Sequence, residues 1–222
     1  MLKAIIFDMD WVLVKSTGII RKSFIKVLEE QGINTEVFNT VNKERYQGRT
    51  LKDQLQLWET ELWIHQSLDV DTFAKQSLTY QLELGKNDFV PNPATLQLIK
   101  EAKEKGIKIA VATSSRKERA VILLKLVEVF DTLDACIAYE DITKGKPDPE
   151  CFLKAAEALN INPENCLVIE DAINGIQAAK TAKMKAVAKI NPENISEGFN
   201  LADMHFQNFE DISLSDLKNL YF

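Results

Sequence analysis

Four stretches of the chain break from apolar residues into groups able to do polar chemistry. They are Asp8-Met9-Asp10 after Phe7, Thr113-Ser114-Ser115 after Ala112, Lys144-Gly145-Lys146-Pro147-Asp148 in a later loop, and Glu170-Asp171 after Ile169. A carboxylate nucleophile splits one difficult phosphoryl transfer into two easier ones through an acyl phosphate, and Asp8 is the candidate. Asp10, two residues on, can protonate the leaving alkoxide and later take a proton from water. Lys146 and the Thr113 hydroxyl would hold phosphoryl oxygens by charge and hydrogen bond. Ser114, Ser115 and Lys117, from the same strand end as Thr113, are further candidate substrate contacts. Carboxylates crowded in a partly dry pocket repel one another at a cost of several kcal/mol per ion, so a cation is required. The ligands on offer are oxygens, with no His nearby, so a hard ion such as Mg²⁺ fits better than zinc.

Each signal also has a plainer reading. Asp is common at strand-to-loop junctions and helix caps. Thr113 could cap the helix after it, and Glu170-Asp171 could be first-turn acids favoured by a helix dipole. Chemistry is favoured because separate strand ends carry compatible groups in one order.

To meet, these residues need a common edge. Short β-rich apolar runs at residues 3–7, 107–112, 135–138, 166–169 and 186–189 alternate with helical patterns, including one over residues 116–127. The alternation predicts an α/β fold, a Rossmann-like parallel sheet with helices on both faces. In such a sheet ligands bind outside the carboxyl ends of the strands, where all these candidates lie. Between the first two runs the periodicity is helical, with Ile20, Phe24, Val27 and Leu28 on one face. Gly85-Lys86-Asn87-Asp88 and Pro91-Asn92-Pro93 then interrupt it. The expected division is a core of residues 1–16 and 89–222 and an inserted α-helical cap of residues 17–88.

At 222 residues the chain can bury one sizeable core plus a small module. Its 33 acidic residues outnumber 27 basic ones, for a net charge of −6, and no Lys/Arg run is interleaved with aromatics, so nucleic acid is not an expected partner. The N-terminal apolar run meets Asp8 too early for a signal segment or membrane span, and a cytoplasmic protein without membrane partners is expected. Cys136, Cys151 and Cys166 are odd in number and widely spaced, which suits reduced core thiols.

Phe-Asp-Met-Asp, Val-Ala-Thr-Ser-Ser, Lys-Gly-Lys-Pro-Asp-Pro and Val-Ile-Glu-Asp-Ala-Ile-Asn-Gly-Ile together resemble the four motifs of the haloacid dehalogenase superfamily. Their order, and the helical insertion after the first, are similar to the β-phosphoglucomutase-like branch with its α-helical cap. The resemblance implies Asp8 as nucleophile, Asp10 as acid/base, and Thr113 and Lys146 as partners of the phosphate and the nucleophile. It implies Mg²⁺ held by Asp8, Asp171 and the Asp10 carbonyl, with Glu170 in support. It further implies a cap that closes over the rim, with Arg49 of Gly48-Arg49-Thr50 reaching toward substrate; an exposed Arg at a helix start is the plainer reading.

Departures from the pattern carry their own expectations. The family usually has Gly after the second Asp, and this chain has Trp11, which must turn into the cap interface or lie against the substrate. Lys15 stands where an acidic hinge residue is usual. Ile20 occupies the position of a His found in the mutases, which disfavours mutase activity. His65 and His205 lie away from the motifs and read as structural or surface residues. The expected function is a Mg²⁺-dependent phosphatase acting on a small phosphorylated metabolite such as a sugar phosphate. A phosphosugar mutase is the alternative, and a silenced binding protein with Trp11 blocking the pocket is the third reading. A monomer or weak homodimer is expected.

Overall fold

The computed structural model describes residues 1–36, 46–61, 68–190 and 197–221. Among these, strands β1 (Ala4–Phe7), β2 (Lys108–Ala112), β3 (Ala135–Ile137), β4 (Cys166–Glu170), β5 (Lys185–Lys189) and β6 (Met204–Phe206) form one parallel sheet in the order β3-β2-β1-β4-β5-β6. The first strand in the chain is thus central, with Phe7 level with Val111 of β2 and Ile169 of β4. Residues just past β1 meet the ends of both neighbours where the strand order reverses, the usual ligand crevice of such sheets.

The period of two along each strand sorts its residues between two faces. Ile5, Phe7, Ile109, Val111 and Leu167 share a core with α4 (Pro93–Glu104), α5 (Lys117–Leu126) and α8 (Leu214–Asn219). The alternate residues Ala4, Ile6, Ala110, Ala112 and Val168 face α6 (Glu150–Leu159) and α7 (Ile173–Thr181). The α/β expectation of a parallel sheet covered on both faces therefore holds. Asn92 starts α4 by accepting from the N–H groups of Ala94 and Thr95, with Pro93 at the first helical position.

Between β1 and α4, helices α1 (Thr17–Glu30), α2 (Leu51–Glu61) and α3 (Val70–Leu84) enclose an apolar cluster of their own. Phe24 of α1 lies edge-on to Trp58 of α2 and Phe73 of α3, with ring centroids 5.7 and 5.3 Å away. Ser16 precedes α1 without capping it; its hydroxyl turns instead to Asp10 and the Val14 carbonyl.

Strand β6 is absent from the predicted runs because the exposed His205 interrupts Met204-His205-Phe206, unlike the equally short but unbroken Ala135-Cys136-Ile137. It is held by pairing Met204–Phe206 with Val187–Lys189. His205 on β6 is exposed, with its ring 2.8 Å from the Phe199 carbonyl, and His65 lies outside the described residues. All three cysteines are free thiols, and burial pushes Cys151 and Cys166 up to about 11. No described helix is long and apolar enough to cross a membrane.

Candidate active site

The β1 ladder runs one residue beyond the strand, since the Asp8 N–H donates to the Ile169 carbonyl at 2.9 Å. This fixes Asp8 beside Glu170. Lys146, fully buried at its side chain, donates to Asp8 Oδ1 and Glu170 Oε1, both at 2.6 Å, and to the Ala112 carbonyl at 3.4 Å. Its three protons thus tie the ends of β1, β2 and β4 together from below the pocket floor. The other oxygen of Glu170 accepts the Ala172 N–H at 2.6 Å. Glu170 is completely buried because Gly175 packs against it: a Cβ there would stand 1.8 Å from Oε1.

Burial works against the ammonium of Lys146, but Asp8 and Glu170 outweigh it and hold Lys146 well above the usual lysine range. Burial also raises Asp8, to about 7. Lys146 opposes that rise, while Glu170 and Asp10 add to it. Asp171 is pushed well above the ordinary carboxylate range by burial and by the charges of Glu170 and Asp8.

Asp10 follows a different course. Arg119 of α5 grips it with a fork, Nη1 to Oδ2 and Nη2 to Oδ1, both at 2.7 Å. Ser115 donates to Oδ2 at 3.0 Å, and Ser16 donates to Oδ1. Burial opposes ionisation, but Arg119 and the hydroxyls prevail and hold this carboxyl below its usual value. Arg119 is anchored in turn by Gln81 of α3, whose Oε1 accepts from Nε at 2.7 Å. Sequence reasoning passed over Arg119, since nothing local marks that α5 turns this side chain toward Asp10.

Thr113 is buried, and its Oγ1 accepts the Ser115 N–H at 3.1 Å, which leaves its proton free for the pocket. Ser114 donates to the Gly48 carbonyl at 2.7 Å, and Asn174 to the Gln47 carbonyl at 2.8 Å, so core side chains hold the segment before α2. Gly48 has φ +76°, a left-handed turn open to glycine, and presents Arg49 to the cavity. Arg116 pairs with Asp71 at the start of α3. Lys117 does not reach the cavity: its N–H meets Glu140 at 2.8 Å and its ammonium lies 3.4 Å from Asp141.

These elements enclose a cavity of about 680 Å³ whose floor carries Asp8, Asp10, Thr113 and Asp171. Trp11 forms part of the wall. Its φ is +63°, which costs a residue with a Cβ about 1–2 kcal/mol. Its buried indole N–H has no acceptor among the described residues, worth about 1–3 kcal/mol more. Lys189 compensates from β5, donating to the Trp11 carbonyl at 2.9 Å with its ammonium 4.7 Å from the ring centroid. Lys15 is exposed.

Four carboxylates, Asp8, Asp10, Glu170 and Asp171, face two engaged cations, Lys146 and Arg119, and their mutual repulsion adds to the upward shifts that burial gives Asp8 and Asp171. Among the described residues no three acidic, His or Cys side chains form a ready-made metal cage. Such a donor set fits Mg²⁺, which keeps waters and is commonly held by one or two carboxylates together with substrate phosphate.

A model of haloacid dehalogenase-like hydrolases matches residues 2–183. A haloacid dehalogenase-like hydrolase domain-containing protein of Arabidopsis thaliana is 31% identical over 173 residues, covering 77% of this chain and 49% of that protein, so the chain spans about half its length. The phosphorylated carbohydrates phosphatase of Thermotoga maritima is 28% identical over 186 residues, 84% of each. A crystal structure of β-phosphoglucomutase from Clostridium difficile aligns with a TM-score of 0.83 at 26% identity, covering 100% of this chain and 97% of the other. The match over most of the chain, on a sheet that gathers all four motifs at one edge, places the protein in the haloacid dehalogenase-like hydrolases, in the β-phosphoglucomutase-like branch.

Proposed function

We propose that the protein is a Mg²⁺-dependent phosphatase of a small phosphorylated metabolite, working through a phosphorylated Asp8. Sugar phosphates are the first class to test, given the relatives above. The observation that carries this reading is the Asp8 carboxylate at the end of the central strand, held from behind by Lys146 at 2.6 Å and open in front to the cavity. Asp10, which Arg119 and the hydroxyls hold ionised, first takes a proton from solvent. An Asp8 oxygen then attacks phosphorus while the ester oxygen leaves with that proton, after which water gives a proton back to Asp10 and attacks the acyl phosphate, freeing phosphate and Asp8. The four hydrogen bonds on Asp10 fill both its oxygens, so one donor gives way whenever it exchanges a proton. Thr113 orients a phosphoryl oxygen by hydrogen bond. Mg²⁺ bound by Asp8, Asp171 and the Asp10 carbonyl, with Glu170 supporting from behind Lys146, would neutralise charge on the phosphoryl oxygens.

In this reading residues 17–88 act as the cap over a core of residues 1–16 and 89–222, Arg49 and Ser114 line the substrate side, and the protein works in the cytoplasm. A phosphosugar mutase is the second reading, favoured by the likeness to the C. difficile enzyme. Against it stands Ile20 on the cavity wall, an apolar side chain that cannot exchange a proton. The test is phosphate release from a panel of metabolite phosphates with and without Mg²⁺. Release is expected to need the metal and to vanish in Asp8→Asn. Turnover by Asp8→Asn would sink the acyl-phosphate route, and isomerised phosphosugar in place of free phosphate would favour the mutase.

A further inference from the structure

Trp11 is held at the pocket wall against two local costs, a left-handed backbone and a buried N–H without an acceptor. Lys189 fixes it at both carbonyl and ring. Strain retained beside reacting groups points to a use for the side chain that causes it. Beyond Trp11 the cavity continues into the helical layer, where Ile20, Phe24 and Ile25 of α1, Trp58 of α2 and Leu78 of α3 line it. Several polar groups on that wall are already engaged. Ser77 lies 2.9 Å from Ser23 and accepts from Gln81, Gln81 accepts from Arg119, Gln54 donates to the Arg49 carbonyl, and Asp71 pairs with Arg116. Arg21, Gln47, Arg49, Lys52, Lys75 and Glu118 also line the cavity, so its polar partners lie there, whereas the wall made by Ile20, Phe24, Ile25 and Leu78 offers none to a hydroxyl packed on it. The volume of about 680 Å³ falls within the range of pockets that enclose a whole drug-sized ligand.

Resting on the phosphatase reading, we infer that Trp11 is a specificity-determining residue, and that the substrate class is a phosphate monoester whose leaving group carries an aromatic or comparably apolar body. The phosphate sits on the floor at Asp8, and the apolar body packs on the Trp11 ring and reaches between α1, α2 and α3.

The experiment compares 1-naphthyl phosphate with glucose 6-phosphate on wild type, Trp11→Phe and Trp11→Ala, all with Mg²⁺. Wild type is expected to favour 1-naphthyl phosphate in kcat/KM by at least about ten-fold. Trp11→Ala is expected to raise KM for 1-naphthyl phosphate by about ten-fold or more and to collapse that preference, and Trp11→Phe to recover most of it. Preference for glucose 6-phosphate in wild type, or an equal loss on both esters in Trp11→Ala, overturns the inference while leaving the phosphatase reading intact. Binding is measured separately by calorimetry on Asp8→Asn, which needs no turnover. Tighter binding of 1-naphthyl phosphate that weakens on adding Trp11→Ala supports the assignment, and no binding overturns it. Turnover of neither ester, with binding as expected, would count against the phosphatase reading alone.

Discussion

Lys146 and Arg119 divide the positive charge of the site in different ways. Lys146 is a point charge between two buried carboxylates and holds Asp8, the proposed nucleophile, from behind. Arg119 uses the planar fork that only a guanidinium offers and fixes the orientation of Asp10. Removing one partner of a buried pair costs about 3–5 kcal/mol, and the 24% exposure of the Asp10 side chain moderates this. Arg119→Met is therefore expected to lower stability by about 2 kcal/mol in urea denaturation and to reduce kcat more than KM. Arg119→Lys should recover less than half of either loss, because an ammonium cannot span both oxygens. Full recovery by lysine would mean that charge alone, and not the fork, sets Asp10.

At the scale of elements, the site depends on how closely α7 approaches the end of β4. Gly175 in the first turn of α7 leaves the space that Glu170 fills, and Glu170 there accepts from both Lys146 and the Ala172 N–H. Neither bond survives if the carboxylate is displaced. Gly175→Ala is expected to cost about 2 kcal/mol or more in thermal or urea melts, and to impair turnover because Lys146 would lose one of its two carboxylate anchors. A variant with wild-type stability would show that α7 can shift outward without loss.

Across the whole molecule the balance of charge predicts how metal and pH act together. Asp8 and Asp171 titrate above the ordinary value of 3.8, Asp8 at about 7. The folded protein therefore holds more protons than the unfolded chain between those values, and the stability these groups contribute is complete below 3.8 and lost as pH rises toward 7. Asp10, Asp134 and Asp203, all held low, lose their contribution only as pH falls below 3.8, outside that window. Metal-free protein should thus melt at lower temperature at about pH 8 than at about pH 5 on account of these groups. Mg²⁺ should raise the melting temperature more at the higher pH, by the equivalent of about 2.7 kcal/mol at a hundred times Kd. An equal rise at both pH values, or none, would count against a cation between Asp8 and Asp171.

The first five strands were legible because residues buried on both faces of a parallel sheet must be apolar along the run, as in Ala4–Phe7 and Cys166–Glu170. The placement of Asp8, Asp10, Thr113 and Asp171 on one rim was legible too, because side chains following parallel strands leave the sheet at the same edge. Strand β6 was not legible, since His205 breaks its apolar run and only pairing with β5 makes it a strand. Arg119, Lys189 and the outward course of Lys117 were equally hidden, since each depends on which way a helix or strand is turned in the packed molecule. Local pattern alone determined the order of elements and the chemistry carried at their ends. Tertiary structure decided which cation meets which carboxylate and what shape the cavity takes, because those contacts join residues more than a hundred positions apart and form only when the sheet closes around them.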